Sequence, residues 1–566
     1  MKQPFTRNQA SFFSQAGSIL KATILGCCFV FGTGLDPYGT RVMAQNSGTA
    51  EDKNRNMLGN GQFSGDLELF QNVFFLDSNL LSNPIPPQYY QQLSSTDGWM
   101  NINYRQGNLE AGIRFDLFLN SGLRNPYIVR NQQGIGYWYV SQQVGKLRVR
   151  LGHFYDQFGN GITFRAYEGR GQNLDYAVLG ISGTYALNDR WQVKGFAGKQ
   201  KVLFGTYEPV LKGLSVQGSL SSERLGLQWS PGFSVVNRTL DAQSMQNVVG
   251  SIESLEPYKR FVPKYNAYAS SLFQNLQWRR WTLNSEIAYK SREAVLNREG
   301  NLENSSGLVL YSDLGYSMDG FGINVQYKHT DHFDFRVSPL EILNEGLINY
   351  IPPGARMNTY RLTSRYAPAT QLVGENALQV EAVISPGPHT TLQLNFSQVQ
   401  GLDGKLYYRE AYAEAKHKWN KQITLSGGLQ QLVYNQELYE FKPGAPLVRT
   451  WTPFAELTYK INRRQSLRVE CSQMTTRQDL GDWLWGLLEY NIAPRYSFSL
   501  MDMWNYGNKN PLQRNHYYTA FAALNWPGLR LTGGYVRQVQ GIICTGGVCR
   551  VEPAFNGLRF SLSANF

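Results

Sequence analysis

The stretch "GLRFSLSANF", residues 557–566, decides the fold class. Leu558, Phe560, Leu562, Ala564 and Phe566 alternate with Arg559, Ser561, Ser563 and Asn565. A period of two belongs to a strand with one apolar and one polar face. Chain ends are usually polar and frayed unless something holds them. Here the last residue belongs to the apolar face. The strand is therefore expected to be paired to its end, and the rest of the sequence must supply the partner.

The same pattern runs along the chain. "LEAGIRFDLFL" (109–119) puts Leu109, Ala111, Ile113, Phe115, Leu117 and Leu119 on one face, and "LQLNFSQV" (392–399) and "QITLSGGL" (422–429) repeat it. The alternating segments are about 9–12 residues long, the length a tilted strand needs to cross a bilayer. Tight turns at 106–108, 145–146, 188–190, 279–280, 319–321, 462–464 and 527–528 separate long connections at 77–96, 120–133, 155–176, 239–264, 334–355, 435–448 and 507–514. A soluble sandwich has no reason to segregate loop lengths in this way. The expectation is an all-β fold: a single closed antiparallel transmembrane β-barrel of about 24 strands (roughly 22–26), with short periplasmic turns and long extracellular loops. "MNTYRLTSRYA" (357–367) reads as strand or as loop; taking it as loop keeps the strand number even. Closure pairs the last strand with the first, which gives Phe566 its partner.

Composition agrees. Hydrophobic residues make up 42% and charged residues 17%, which is neither a disordered nor a helical-membrane composition. Beyond the first 50 positions no apolar run reaches the length of a spanning helix. Aromatics at 13% and 55 glycines favour strands and tight turns. Lys2, Arg7 and Lys21 precede the apolar "ATILGCCFVFG" (22–32), and the small-residue site "VMA" (42–44) follows. Residues 1–44 are read as a signal peptide, 45–60 as a polar N-terminal segment and 61–566 as the barrel. "ILGC" (24–27) resembles a lipoprotein site, but the apolar run continues through Phe31. Residues 1–44 carry four cations and one acid, so their removal takes the net charge from +12 to +9. Export argues against nucleic acid as a partner; a basic lumen or anionic lipid headgroups suit the excess better.

Among the cysteines, Cys27 and Cys28 leave with the signal, and Cys471 shares a face with Leu467 and Val469 as a small apolar filler. Cys544 and Cys549 flank "TGGV", a disulfide candidate in an exported protein and a weaker zinc candidate. The faces opposite the apolar ones are expected to line the lumen. They carry Arg105, Arg114, Arg148, Arg150, Lys194, Lys328 and Arg468 against Asp116, Glu286, Glu381, Glu456 and Glu470. Two readings stay open: a basic pore wall that favours anions, or charges that pair with one another and keep the interior wet.

"HFYDQFGNGITFRAYEGRG" (153–171) is the most distinctive stretch, with four glycines and the charges Asp156, Arg165, Glu168 and Arg170. It resembles a signature, F-Y-[D/E]-Q-F-G-x-G followed by R-x-Y-E-x-R, of a largely uncharacterised barrel family of Bacteroidota-type outer membranes. Phe154–Gly161 and Arg165–Arg170 carry the resemblance, which implies an outer-membrane location and no settled activity. From the residues themselves, a loop folded inward and pinned by ion pairs is favoured over a ligand site. The four charges are then candidates for a pore constriction, and the loops at 155–176 and 239–264 are long enough to fold inward. A final strand alternating to Phe566 through Phe560 and Leu562 resembles the assembly signal of bacterial outer-membrane barrels, which implies the barrel assembly machinery as a partner.

"HTDHFD" (329–334) crowds His329, Asp331, His332 and Asp334, but a strand sends His329 and His332 to opposite sides, so no metal is expected. No nucleophile elbow or phosphate loop is present, so no cofactor is expected and nothing supports an enzyme. The leading expectation is a porin-like channel for small hydrophilic or anionic solutes, integral to a Gram-negative outer membrane and in contact with its lipid. The alternative is a non-enzymatic barrel subunit of an outer-membrane secretion or assembly complex, partnered by other outer-membrane proteins.

Overall fold

A computed structural model describes residues 61–80, 85–122, 129–170, 174–297, 299–372, 374–545 and 548–566. Residues 1–60, read from the sequence as a signal peptide and a polar N-terminal segment, lie outside these residues. Twenty-four antiparallel strands close on themselves, and a three-residue piece, Leu220–Ser222, pairs onto one of them. The first strand, Gln62–Phe74, runs beside Ser94–Gln106 on one side and beside the last strand, Phe555–Asn565, on the other. The closing register sets Asp66 opposite Asn565 and Phe74 opposite Gly557. Phe566 extends the ladder: its N–H donates to the Gly65 carbonyl at 3.0 Å, and its carbonyl accepts from the Gly65 N–H at 2.8 Å. Its ring lies where a β-carbon at Gly65 would stand, only 2.4 Å away, so this contact requires glycine.

Deleting Phe566 removes both hydrogen bonds and this ring contact at the seam. The deletion is expected to lower the amount of assembled barrel several-fold and to abolish the gel shift between boiled and unboiled protein. Unchanged abundance and an unchanged shift would refute the seam's importance.

Alternation gives the wall two faces. Along Asn266–Trp278, Tyr268, Leu272 and Trp278 point outward and are exposed, while Ala267, Ala269, Ser271 and Phe273 point inward and are buried. Tyr289, Tyr327, Trp451, Trp504 and Tyr518 stand outward toward the rim of long loops; Phe63, Tyr185, Trp281, Tyr459, Tyr496 and Trp526 stand outward near the short turns. Between the two aromatic belts lie Ile287, Leu310, Leu394, Leu488 and Leu500. Tyr268 to Trp278 is about 34 Å along a strand, or about 25 Å once tilted by ~40°, the height of a bilayer's apolar band. No helix among the described residues is long and apolar enough to cross a membrane.

Loop lengths segregate between the two ends. On one side most connections are two to four residues; the exception, between Gly218 and Leu227, holds Leu220–Ser222 and a turn of 3-10 helix. The opposite side carries every long connection expected from sequence, together with short ones after Val202, Leu296 and Gln400. The segment 356–372 contains no strand and belongs to a single connection running from Asp331 to Gly374. Near the end of the chain, a hairpin of Gly541–Thr545 and Val548–Glu552 sets Cys544 across from Cys549 in register. The expected disulfide between them lies outside the described residues.

Candidate functional site: loops folded into the lumen

The "FYDQFGNG" motif follows the strand Leu147–Phe154 and turns into the barrel. Its aromatic positions are core positions. Phe154, Phe158 and Phe164 surround Phe196 of the strand Trp191–Val202, with ring centroids 4.3–5.7 Å from it. Ile162 and Thr163 have no exposed surface, and the Thr163 hydroxyl meets Ser234, itself bonded to Ser271, on the inner wall. Further along the wall, the backbone N–H of Asn160 donates to Glu286 at 2.7 Å, and Asn284 donates to the Asn160 side chain at 2.8 Å. Gly159 makes this approach feasible: its φ is +50°, and a β-carbon there would sit 2.7 Å from the Glu286 carboxylate. Gly159→Val is therefore expected to free the loop from the wall. Amide exchange across 155–170 should speed up at least tenfold, and exchange at the wild-type rate would contradict the contact.

Charges hold the second half of the motif. Arg114, buried on the wall, donates to Asp116 at 2.6 Å, to Glu168 at 2.7 Å and to Asp175 at 2.8 Å. Asp175 also meets Lys201 at 2.5 Å and accepts from the Tyr155 hydroxyl at 2.9 Å. Burial opposes ionisation of Asp175, but Lys201 and Arg114 overcome it and hold the carboxyl below its ordinary range. At Glu168 burial wins and pushes the carboxyl up, against the pull of Arg114 and Arg170. Arg170 reaches Glu68 at 2.8 Å and Glu168 at 3.3 Å, and Asp156 pairs with Lys194 at 2.7 Å. Arg165 lies between the rings of Tyr167 and Tyr350, 4.6 and 4.1 Å from their centroids. A cavity of about 50 Å³ remains beside Arg114, Glu168, Arg170 and Asp175.

Tyr350 belongs to the long connection 332–373, which packs onto the motif. The Arg165 N–H donates to the Ile348 carbonyl, and the Tyr350 N–H donates to the Gly161 carbonyl, both at 2.9 Å. Phe333, Phe335 and Val337 are completely buried and share one apolar cluster with Phe158, Ile162 and Phe164. Lys328, on the wall, donates to the Pro352 carbonyl and to Glu375, each at 2.6 Å. Farther on, Asn358 donates to Glu410 at 2.6 Å, and the Tyr360 ring packs against Phe454, tilted by 33° with centroids 4.3 Å apart. Arg356 lies 3.6 Å over the Tyr412 ring, and Arg365 lies 4.2 Å over Trp483. Two loops, zipped together, therefore pack against the inner wall toward the long-loop end of the barrel. The connection at 240–265 meets the 332–373 loop at Leu340. Its helix, Ala242–Glu253, is capped by Asp241 and packs Met245, Val248 and Ile252 against Ala294, Leu302 and Leu340.

Most of the expected lumen charges are paired. Arg105 and Arg148 meet Glu110 at 3.8 and 2.6 Å, and Arg150 lies 4.2 Å over the Tyr139 ring. Arg468 contacts Glu456, Glu470 and Glu489 at 2.9, 3.0 and 3.6 Å. The histidines separate: His329 bonds Asn376, whereas His332 meets Glu303 and Asp331. Sequence reasoning did not place 332–373 inside the barrel. The available signal was a strandless, aromatic and proline-rich stretch far longer than a turn requires, "NYIPPGARMNTYRLTSRYAP" (349–368).

The chain belongs to a family of unknown function (DUF6029), whose model matches residues 20–566. No curated protein matches its sequence. Similar solved structures include the P pilus usher PapC translocation pore, at 10% identity and TM-score 0.40, covering 89% of this chain and 99% of that one. The siderophore receptor PirA from Pseudomonas aeruginosa matches at 10% identity and TM-score 0.40, covering 89% and 80%. A BenF-like porin from Pseudomonas fluorescens Pf-5 matches at 10% identity and TM-score 0.34, covering 79% and 98%.

Proposed function

We propose that this family member is an exported, non-enzymatic β-barrel of a Gram-negative, Bacteroidota-type outer membrane, acting as a porin-like channel for small hydrophilic solutes. Its apolar band and two aromatic belts suit an outer-membrane bilayer, with the long loops outside and the short turns in the periplasm. Its final strand would be read by the barrel assembly machinery. One observation carries the channel reading: the inner wall toward the short turns is polar and water-exposed, at Asn275, Gln277, Lys416 and Lys418, and it leads to a plug made from the barrel's own loops. Barrels of 16–18 strands already leave an aqueous channel, so about 24 strands need such a plug to restrict passage. Asp156, Arg165, Glu168 and Arg170 brace the constriction, while Arg114, Lys194 and Arg468 on the wall are paired with carboxylates.

The complete burial of Ile162, Phe333, Phe335 and Val337 favours a second reading, a shut barrel serving as a subunit of an outer-membrane complex. Swelling of liposomes containing the purified chain distinguishes the two. Pentose-sized sugars should enter several times faster than into empty liposomes, and trisaccharides should not. Swelling no faster than in empty liposomes, with a second protein retained through mild-detergent purification, would replace the channel by the subunit.

A further inference from the structure

We infer that Arg361 and Arg365, on the loop inside the lumen, form a binding site for a small oxyanion. The inference deepens the channel reading and rests on it for its consequence, a preference for anionic solutes.

The argument is one of unequal pairing. Three buried cations of the wall that face the plug have a carboxylate close by: Arg114 at 2.6 Å, Lys201 at 2.5 Å, Lys328 at 2.6 Å. Around Arg361 this fails. Among the described residues no carboxylate lies within 4 Å of its guanidinium, and its neighbours in charge are Arg365 and, farther off, Glu552. Arg365 reaches one carboxylate, Asp479, at 3.9 Å. Asp479 already meets Lys442 at 3.1 Å and accepts from the Tyr366 hydroxyl at 2.8 Å. Arg559 reaches Glu552 at 3.9 Å and donates to Asn72 at 3.1 Å, and Glu552 is already held by Arg550 at 2.5 Å. Three carboxylates, Asp479, Glu552 and the Glu440 that meets Lys442 at 2.6 Å, are thus shared among five cations, and their close contacts belong to Lys442 and Arg550.

The unsatisfied donors are poised for a ligand. Arg365 is stacked on Trp483, which fixes the plane of its fork, and its Nε is buried without a hydrogen-bond partner. Arg361 and Arg365 each keep part of their surface in solvent, so an anion has a way in. Burial and the like charge of Arg365 push the Arg361 guanidinium down to about 10, which leaves it charged at neutral pH. A guanidinium fork offers paired N–H groups to the oxygens of a phosphate or carboxylate, which a spherical halide cannot use in the same way.

Calorimetry on the full chain in detergent, titrated with inorganic phosphate, tests the site. Saturable binding is expected, at least tenfold weaker in Arg361→Gln/Arg365→Gln, with chloride giving no comparable heat. No saturation by the intact chain, or undiminished binding by the double variant, would overturn the inference. Calorimetry requires no conduction. A chain that binds phosphate but admits no solute into liposomes would remove the channel reading and leave the site standing.

Discussion

Replacing Arg114 by Met should free the loop at 155–177 from the wall. The substitution keeps bulk but removes the cation shared by Asp116, Glu168 and Asp175, whose side chains are 2%, 19% and 18% exposed. Removing one partner from a buried ion pair costs about 3–5 kcal/mol, because the remaining charge stays desolvated. Lys201 still serves Asp175, so the damage should centre on Asp116 and Glu168. Trypsin added outside intact proteoliposomes is expected to cut after Arg165 or Arg170 in the variant and to leave the parent whole. Arg114→Lys keeps the charge without the fork and should fall between them. Equal resistance of all three would show that this network does not hold the loop.

The same network sets the response to acid. The folded-state value of Asp175 lies below its unfolded value, so its contribution is present above the ordinary aspartate range, about 3.9, and is lost as pH falls through the depressed value. Glu168 is shifted upward, so taking up a proton there favours the folded loop as pH falls. Amide exchange across 155–170 should therefore stay slow from neutral pH to about 4 and quicken only below it, once the intrinsic pH dependence of exchange is removed. Loosening near pH 6 would assign the hold to other groups.

The second large effect belongs to Lys328→Met. Lys328 and Glu375 have essentially no exposed side-chain surface, and Lys328 also ties the Pro352 carbonyl to the wall. Loss of the cation should cost about 3–5 kcal/mol and lower the midpoint of the heat-dependent gel shift by several degrees. Adding Glu375→Gln removes the stranded charge and should recover more than half of the loss. Failure to recover would mean that the Pro352 contact, rather than the pair, carries the energy.

The wall was legible in the sequence because alternation is local. Leu109 through Leu119 declare their face without reference to anything distant, and the turn residues mark where each hairpin ends. The filling of the lumen was harder to read. Its contacts join residues far apart in the chain, such as Arg165 with Tyr350 and Arg114 with Asp175, and no local period encodes them. The motif at 153–171 was visible because glycines and charges crowd into a short stretch, each serving a close contact. The loop at 332–373 spreads the same role over a longer and blander stretch. Net charge misled most: the basic excess says nothing of pairing, and Arg468 among three glutamates is a cation in composition but a bridge in the fold.

Single-channel recording in planar bilayers tests the central claim, that the barrel's own loops narrow its lumen. The intact chain should be compared with a chain in which residues 333–370 are replaced by a short turn, and with one lacking 156–173. Small conductance steps are expected from the intact chain, with steps several-fold larger from either deletion and largest when 333–370 is removed. Equal conductance from all three, with the heat-dependent gel shift retained in each, would contradict the claim.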